Sequence, residues 1–168
     1  MIAPPAGGDP TPAAWRAAMG AFPSGVTIVT SWRGGDPIGS TVNAFCSVSL
    51  TPPLLLVCLD LNNPITEPLK ACGRFGVNIL PEDGGAAAAM HFAVEREETR
   101  FQSYPFRAAR DGAPQLDLAS TFIDCRVESL ADAGDHVIVV GRGVSTLQAS
   151  VAPPLLYHRG AFHRLPSP

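Results

Sequence analysis

Small polar residues without charge recur between apolar residues in the segment 39–51. Ser47, Ser49 and Thr51 alternate with apolar side chains, a pattern that predicts a strand with one polar and one apolar face. The hydroxyl and amide groups of the segment can donate and accept hydrogen bonds, but they include no strong nucleophile. Such a row of groups suits the edge of a flat heterocycle that is rich in hydrogen-bonding atoms. The alternative is an ordinary sheet surface that faces solvent.

Other patterns that usually carry chemistry do not occur in the sequence. The four histidines form no H-E-x-x-H motif, and the four cysteines form no C-x-x-C pair. There is no G-x-S-x-G motif, and Gly141 and Gly143 lack the third glycine and the following helix of a dinucleotide signature. We therefore expect no metal site, no activated nucleophile, and reduced cysteines that are mostly buried.

The composition is that of a globular domain with a sizeable apolar core. The chain has 168 residues, of which 46% are hydrophobic, and a formal net charge of −3. We expect a disordered tail over residues 1–10 and a single domain over residues 11–168. So small a charge argues against nucleic acid or a membrane as partner, and no apolar run is long enough to cross a bilayer. The start of the chain lacks the pattern of a signal peptide, which favours a cytoplasmic location.

Turn residues separate several strand patterns, and helices are predicted only at intervals. A hydroxyl cap at Thr11 begins a helix, and the spacing of Trp15, Met19 and Phe22 predicts that one face of this helix packs on the core. The charged stretch 93–114 is expected to be an exposed excursion of helix and loop. Together these patterns predict a closed antiparallel sheet.

Several short motifs follow one another in a fixed order along the chain. They are Gly39-x-Thr41-x-Asn43-x-Phe45, Ser47-Val48-Ser49, Pro52-Pro53, Gly134-Asp135-His136, Pro154-Leu155-Leu156-Tyr157 and Gly160-Ala161-Phe162. In these motifs the sequence resembles the flavin-reductase-like family from about Phe22 to Leu165. The resemblance implies a mainly β fold, the FMN-binding split β-barrel of antiparallel Greek-key type, with a few short flanking helices.

The resemblance also implies an activity and its partners. It indicates an NAD(P)H-dependent flavin reductase that transfers hydride from NADH or NADPH to FMN or FAD. Such reductases are typically homodimers, and they supply reduced flavin by diffusion to a separate monooxygenase. Two alternatives remain open. One is a divergent flavoprotein that holds flavin tightly and acts on an organic substrate, and the other is a flavin-binding module without turnover.

The matching positions give the expected site residues. The residues expected to bind the flavin are Thr41, Val42, Asn43, Ala44, Ser47, Val48, Ser49, Asn63, Thr66 and Phe92. His136 is expected to lie near the flavin and to receive the nicotinamide nucleotide, although the Gly-Asp-His motif is also compatible with a simple turn. Core packing is the equally weighted alternative for Phe92.

The sequence departs from the family pattern at the expected phosphate-binding segment. Family members often carry a Ser-x-Thr pair before a short helix, and Asn63 and Ile65 stand at those two positions here. Thr66 recovers one hydroxyl if the helix is one residue shorter. The departure is compatible with weak retention of the flavin, with a flavin that diffuses as a substrate, or with a changed ligand.

Overall fold

The computed structural model describes residues 8–95 and 99–165. Of the tail that the sequence predicts as disordered, residues 1–7 lie outside the described residues, and residues 8–10 are exposed and have no regular structure. The described residues form three α-helices, which are α1 (Pro12–Gly20), α2 (Thr66–Cys72) and α3 (Glu82–Val94). The hydroxyl of Thr11 caps α1 by accepting a hydrogen bond from the N–H of Ala14, as predicted.

Twelve strands account for most of the regular structure in the described residues. They are β1 (Ser24–Gly25), β2 (Thr27–Arg33), β3 (Asp36–Val42), β4 (Phe45–Leu50), β5 (Pro53–Asp60), β6 (Arg74–Ile79), β7 (Phe106–Arg107), β8 (Gln115–Leu116), β9 (Thr121–Ala133), β10 (His136–Gln148), β11 (Leu156–His158) and β12 (Ala161–His163). The prediction of a mainly β protein with few helices is confirmed.

Seven of these strands form one antiparallel sheet in the order β3-β2-β6-β9-β10-β5-β4. Strands β1, β11 and β12 form a second sheet, and β7 and β8 form a third. The expectation of a closed sheet is wrong. The edge strands β3 and β4 do not pair with each other within the described residues, so the barrel is split along this line.

Irregularities in the hydrogen-bond ladder bend the large sheet. The β9–β10 hairpin changes register between Val140 and Gly141 and again further along β10. A further shift between Ser47 and Ser49 interrupts β4. Because a bulge adds an unpaired residue, it breaks the alternation of faces that the sequence predicts. The side chain of Leu50, expected on the apolar face of this strand, is consequently 90% exposed.

Two apolar clusters fill the described part of the molecule. The first lies inside the curved sheet and includes Val57, Leu69 and Phe75, all fully buried. The second lies between the sheet, α3 and the last hairpin, and it includes Leu80 and Phe92. The clusters hold the two edges of the split barrel and the end of the chain in place around the segment that follows β3.

Helix α1 does not pack on the core as the sequence predicts. It contains no buried residue, and Trp15, Met19 and Phe22 are more than half exposed. The apolar spacing along the helix is real, but the chain passes directly from the helix to β1, and no described element covers that face.

The stretch 93–114 is less exposed than its charge predicts. Arg100 and residues 112–114 are buried in the described part of this stretch, which excludes residues 96–98. A buried amide explains why the stretch packs down, since Asn78 Nδ2 donates to the carbonyl of Ile28 at 3.1 Å and its Oδ1 accepts from the N–H of Leu116 at 2.8 Å. A buried amide with partners on both sides ties the excursion to the sheet.

No helix within the described ranges combines the length and the apolar character that a membrane crossing requires. The prediction of mostly buried cysteines is wrong for two of the four thiols. Cys46 and Cys72 are exposed, Cys58 is half-buried, and only Cys125 is fully buried.

The close approach of β2, β6 and β9 gives a stability prediction at Gly76. A Cβ atom at this position would lie 2.8 Å from Thr30 Oγ1 and within contact of the Phe122 ring. Gly76→Ala should therefore lower the free energy of unfolding by about 1–3 kcal/mol, as overpacking of a filled core does. The measurement is urea denaturation. Gly25→Ala is the control, because a Cβ there meets no atom within 4 Å, and equal destabilisation by both variants would contradict the prediction.

Candidate functional site

A polar hollow of about 220 Å³ opens where the split barrel fails to close. It is bordered by the end of β3, the link from β3 to β4, the end of β5 with the loop that follows, and the start of β10. The lining residues are Thr41, Val42, Asn43, Ala44, Cys58, Leu59, Asp60, Asn63 and His136. Six of the eleven predicted site residues thus lie around one hollow.

Backbone hydrogen bonds fix the link between β3 and β4, whereas the side chain of Asn43 in this link has no short hydrogen bond. The N–H of Cys58 donates to the carbonyl of Ala44 at 3.0 Å, and the N–H of Phe45 donates to the carbonyl of Asn43 at 3.0 Å. The side-chain amide of exposed Asn43 has only a long contact of 3.4 Å from Nδ2 to Ser24 Oγ. This amide can therefore donate to and accept from a ligand in the hollow without giving up a strong bond.

The end of β3 is held from behind by two side chains. Thr41 Oγ1 donates to the carbonyl of Ala89 in α3 at 2.6 Å. Arg100 Nη1 donates to the carbonyl of Gly39 at 2.7 Å, and only 7% of this arginine is exposed. A Cβ on Gly39 would press on the rings of Phe92 and Phe101 at 3.1–3.2 Å. The contribution of Arg100 is not evident from the sequence, because an arginine in a charged stretch is typical of an exposed loop.

Asn63 lies at the hollow, but its side chain is already engaged. Its Nδ2 donates to Ser40 Oγ at 2.9 Å, and its Oδ1 accepts from the N–H of Ile65 at 3.2 Å. Thr66, the other residue expected to hold the flavin phosphate, is fully buried outside the hollow and donates to the carbonyl of Asp60 at 2.8 Å. The structure therefore gives Thr66 a structural position, and the phosphate-binding pair expected from the family pattern is not presented to a ligand.

Phe92 also lies in the interior and not at the hollow. Its ring is fully buried and contacts Phe101 and Tyr104, with ring centroids 5.1 and 5.6 Å away. The structure thus favours the core-packing alternative for this residue. Its effect on the hollow is indirect, since the ring supports the backbone of Gly39.

Ser47 and Ser49 line a different hollow from Thr41 and Asn43. This second hollow, of about 430 Å³, lies between β4, β5 and β10 and is largely apolar. Val48, between the two serines, lines neither hollow and is half exposed. Within one chain, the predicted polar segment is therefore divided between two surfaces.

His136 sits at the rim of the polar hollow with a fixed ring. Its Nδ1 lies 2.7 Å from Asp135 Oδ1, and 42% of the side chain is exposed. The hydrogen bond from His136, together with its charge, lowers the pKa of Asp135. Since the ionised carboxylate accepts the bond, the proton of a neutral ring resides on Nδ1, and Nε2 is left as a hydrogen-bond acceptor.

A sequence model of the family described as "Flavin reductase like domain" matches residues 19–166. The chain belongs to this family. It is similar to a "Probable flavin reductase" of Rhizobium meliloti (strain 1021), with 41% identity over 152 residues that make up 90% of this chain and 48% of that protein. The chain therefore spans about half the length of this relative.

Other members of the flavin reductase like family are matched over most of their own length. The reductase subunit HsaB of a flavin-dependent monooxygenase from Mycobacterium tuberculosis is 32% identical, and the match covers 90% of this chain and 81% of that protein. The solved structure of the NADH:FAD oxidoreductase SgcE6 of Streptomyces globisporus C-1027 is 33% identical. It superimposes with a TM-score of 0.88 over 98% of this chain and all of that one.

The residues of the polar hollow fit one part of a flavin better than another. Asn43 offers a neutral amide, and the adjoining backbone offers further polar groups, which suits the pyrimidine edge of the ring. The engaged side chain of Asn63 and the buried hydroxyl of Thr66 leave no matching grip for a dianionic phosphate. No group of three or more potential metal ligands occurs in the part of the chain that the structure describes.

Thiol reactivity tests the position of Cys58 in the hollow. Burial raises the pKa of Cys125 to about 12 and also raises the pKa of Cys58, whereas Cys46 and Cys72 are exposed. At pH 8 a disulfide reagent should therefore modify Cys46 and Cys72 first, Cys58 more slowly, and Cys125 only after unfolding.

Bound flavin should slow the modification of Cys58 by the disulfide reagent further. The Cys58→Ser variant shows which of the modification rates belongs to Cys58. Rapid modification of Cys125 in the folded protein would contradict the assignment. Because folding raises the pKa of Cys125 above its unfolded value of 9.0, its contribution to stability is present below pH 9 and is lost as the pH rises beyond that value.

Proposed function

We propose that this chain is an NAD(P)H-dependent flavin reductase that acts on FMN or FAD. The observation that carries the proposal is the polar hollow, where the uncharged segment Thr41–Ala44 lies together with His136. The chain is a member of the flavin reductase like family. Relatives named as flavin reductase and as NADH:FAD oxidoreductase support the same activity.

The residues of the hollow have separate tasks in this proposal. A bound flavin supplies a hydride acceptor at N5, and the nicotinamide nucleotide supplies the hydride from C4. Asn43 and the adjoining backbone bind the polar edge of the ring and stabilise the negative charge that reduction places there. His136 uses Nε2 to bind the carboxamide or a phosphate of the nucleotide, while Asp135 holds its ring in orientation.

The lack of available side chains for a phosphate at Asn63 and Thr66 supports the proposal that the flavin leaves after reduction. The side chains of Asn63 and Thr66 form hydrogen bonds within the protein. A flavin would therefore be held mainly through its ring. A flavin bound in this way can diffuse to a separate monooxygenase, and the similarity to a reductase subunit of such an enzyme supports that partner. We place the protein in the cytoplasm, where NAD(P)H is available.

Steady-state kinetics of His136 variants test this function. Under anaerobic conditions, the wild-type protein should bleach many equivalents of free FMN or FAD with NADH or NADPH. His136→Ala removes one hydrogen bond to the nucleotide, so its KM for the nucleotide should rise about three- to tenfold while its affinity for flavin stays the same.

The matched control is His163→Ala in the last hairpin, which lies outside the polar hollow. Equal kinetics for His136→Ala and wild type would contradict the role of His136. Absence of bleaching with either nucleotide and either flavin would contradict the reductase itself. A stable yellow protein that ignores both nucleotides would favour a flavin-binding module.

We also propose that two copies of the chain associate through the edge of the sheet at β4. This edge strand carries Val48 and Leu50, and the neighbouring end of β10 carries Val144 and Leu147, all with 45–90% of their surface exposed. An exposed edge strand with apolar side chains favours association with a second chain. A second copy would cover the larger apolar hollow, where Ser47 and Ser49 lie.

Light scattering of the purified protein tests the dimer. The wild-type protein should have twice the 17.6 kDa mass of one chain. Leu50→Asp should shift the mass toward one chain, because an ionised carboxylate cannot be buried in an apolar interface without a partner. Val151→Asp is the control, since Val151 is equally exposed at 90% but does not line the hollow. A wild-type monomer, or the same shift in both variants, would contradict the proposal.

A further inference from the structure

Asp60 places a carboxylate at the polar hollow, and the proposed chemistry gives this group no role. Asp60 is the last residue of β5, it lines the hollow, and it is half-buried. In the ladder between β5 and β10 its register partner is His136, so both side chains leave the sheet on the same face. The carboxylate and the imidazole therefore border the same part of the hollow.

Local hydrogen bonds fix the position of this carboxylate. Its Oδ1 accepts from the N–H of Asn62 at 2.7 Å, which is a turn that aspartate and asparagine favour. The carbonyl of Asp60 accepts from the N–H of Asn63 at 2.9 Å and from Thr66 Oγ1 at 2.8 Å. Both the backbone and the side chain of Asp60 are thus held by the loop between β5 and α2.

No cation neutralises the carboxylate within the part of the chain that the structure describes. Asp60 forms no ion pair there, and its Oδ2 accepts no hydrogen bond from a described residue. The lining of the hollow includes no lysine or arginine, and His136, which can become cationic, is bonded to Asp135. An ionised Asp60 therefore acts on a ligand in the hollow with little compensation from neighbouring charges.

A carboxylate interacts differently with the separate parts of a flavin. It accepts hydrogen bonds from hydroxyl groups, which the ribityl chain carries, and it repels the dianionic phosphate at the end of that chain. Nearby side chains do not offset the repulsion, because Asn63 Nδ2 already donates to Ser40 Oγ and Thr66 is fully buried outside the hollow. At this loop a phosphate thus meets an opposing charge and gains no bond from Asn63 or Thr66.

We propose that Asp60 makes the polar hollow selective for the uncharged part of a flavin. The polar edge of the ring lies at Asn43, the hydroxyl groups of the ribityl chain donate to Asp60, and a terminal phosphate is kept out of the hollow. Riboflavin, which has the ring and the ribityl chain without the phosphate, is then bound more tightly than FMN. This inference rests on the proposed function, because it names the class of flavin that the reductase binds.

Flavin binding in the absence of nucleotide tests the role of Asp60. In titrations that follow flavin fluorescence, the wild-type protein should bind riboflavin about three- to tenfold more tightly than FMN. Asp60→Asn keeps an acceptor for the N–H of Asn62 but removes the charge. The Kd of this variant for FMN should therefore fall about three- to tenfold, and its Kd for riboflavin should change less than about twofold.

The matched control is Asp36→Asn, which changes the net charge by the same amount. Asp36 is exposed and begins β3, about 20 Å along the strand from the hollow at its other end. This variant should bind both flavins as the wild type does. Tighter binding of FMN than of riboflavin by the wild type, or the same gain in FMN affinity in both variants, overturns the proposal.

The dependence on salt separates a charge effect from a disturbed fold. Because salt screens repulsion between charges, the preference of the wild type for riboflavin over FMN should shrink between about 10 mM and about 500 mM salt. The preference of Asp60→Asn should stay constant over this range. A wild-type preference that does not respond to salt overturns the electrostatic role of Asp60.

Lumiflavin, which has the ring but no ribityl chain, tests the contact with the hydroxyl groups. The preference of the wild type for riboflavin over lumiflavin should fall about threefold or more in Asp60→Ala, which has no side-chain acceptor. An unchanged preference overturns this contact. An effect of Asp60→Asn on NADPH relative to NADH, with both flavins unaffected, overturns the assignment of Asp60 to the flavin. A failed reductase function would show as flavin binding without turnover, and the Kd values would still test the selectivity.

Discussion

The hydrogen bond from the N–H of Cys58 to the carbonyl of Ala44 marks the constraint on which the site depends. The large sheet ends in β3 and β4, which do not pair with each other in the described residues, and an unpaired sheet edge normally exposes backbone polar groups. The bond attaches the link after β3 to β5 and so fixes the gap between the two edges. The gap remains open, and the amide of Asn43 and the adjoining backbone present neutral polar groups there that can bind the polar edge of a ligand.

Because other side chains support the backbone of this link, the side-chain amide of Asn43 is not needed to hold it in place. Arg100 and the ring of Phe92 support the backbone of Gly39, and Thr41 bonds to α3. The amide of Asn43 makes only a long contact, which a ligand can replace. A binding group held by a fixed backbone loses little conformational freedom when the ligand arrives. The buried guanidinium of Arg100 therefore matters to the site although it does not line the hollow.

The sequence predicts the β architecture and the residues that gather around the polar hollow because both depend on local patterns. Alternation, turn residues and the ordered motifs identify the strands and the link around Asn43. The errors arise where distant parts of the chain decide the outcome. A hydroxyl such as that of Thr66 has the same type whether it faces a ligand or a backbone carbonyl, and an aromatic ring such as Phe92 fills a core or a pocket equally well. The exposed face around Trp15 likewise depends on which element covers it, and the spacing of residues within a helix carries no information on that.

The neutral groups proposed to hold the flavin ring and the arginines of α1 and the last hairpin occupy different places in the molecule. In the proposed function, the polar hollow holds a flavin ring through an amide and backbone atoms, whereas the side chains of Asn63 and Thr66 bond to the protein itself. Arg159 at the tip of the last hairpin and Arg16 of α1 line a separate hollow, and neither forms an ion pair within the described residues. A flavin that is held mainly through its ring, as the proposed function has it, leaves readily after reduction, and this is the property that a carrier of reducing equivalents between two proteins requires.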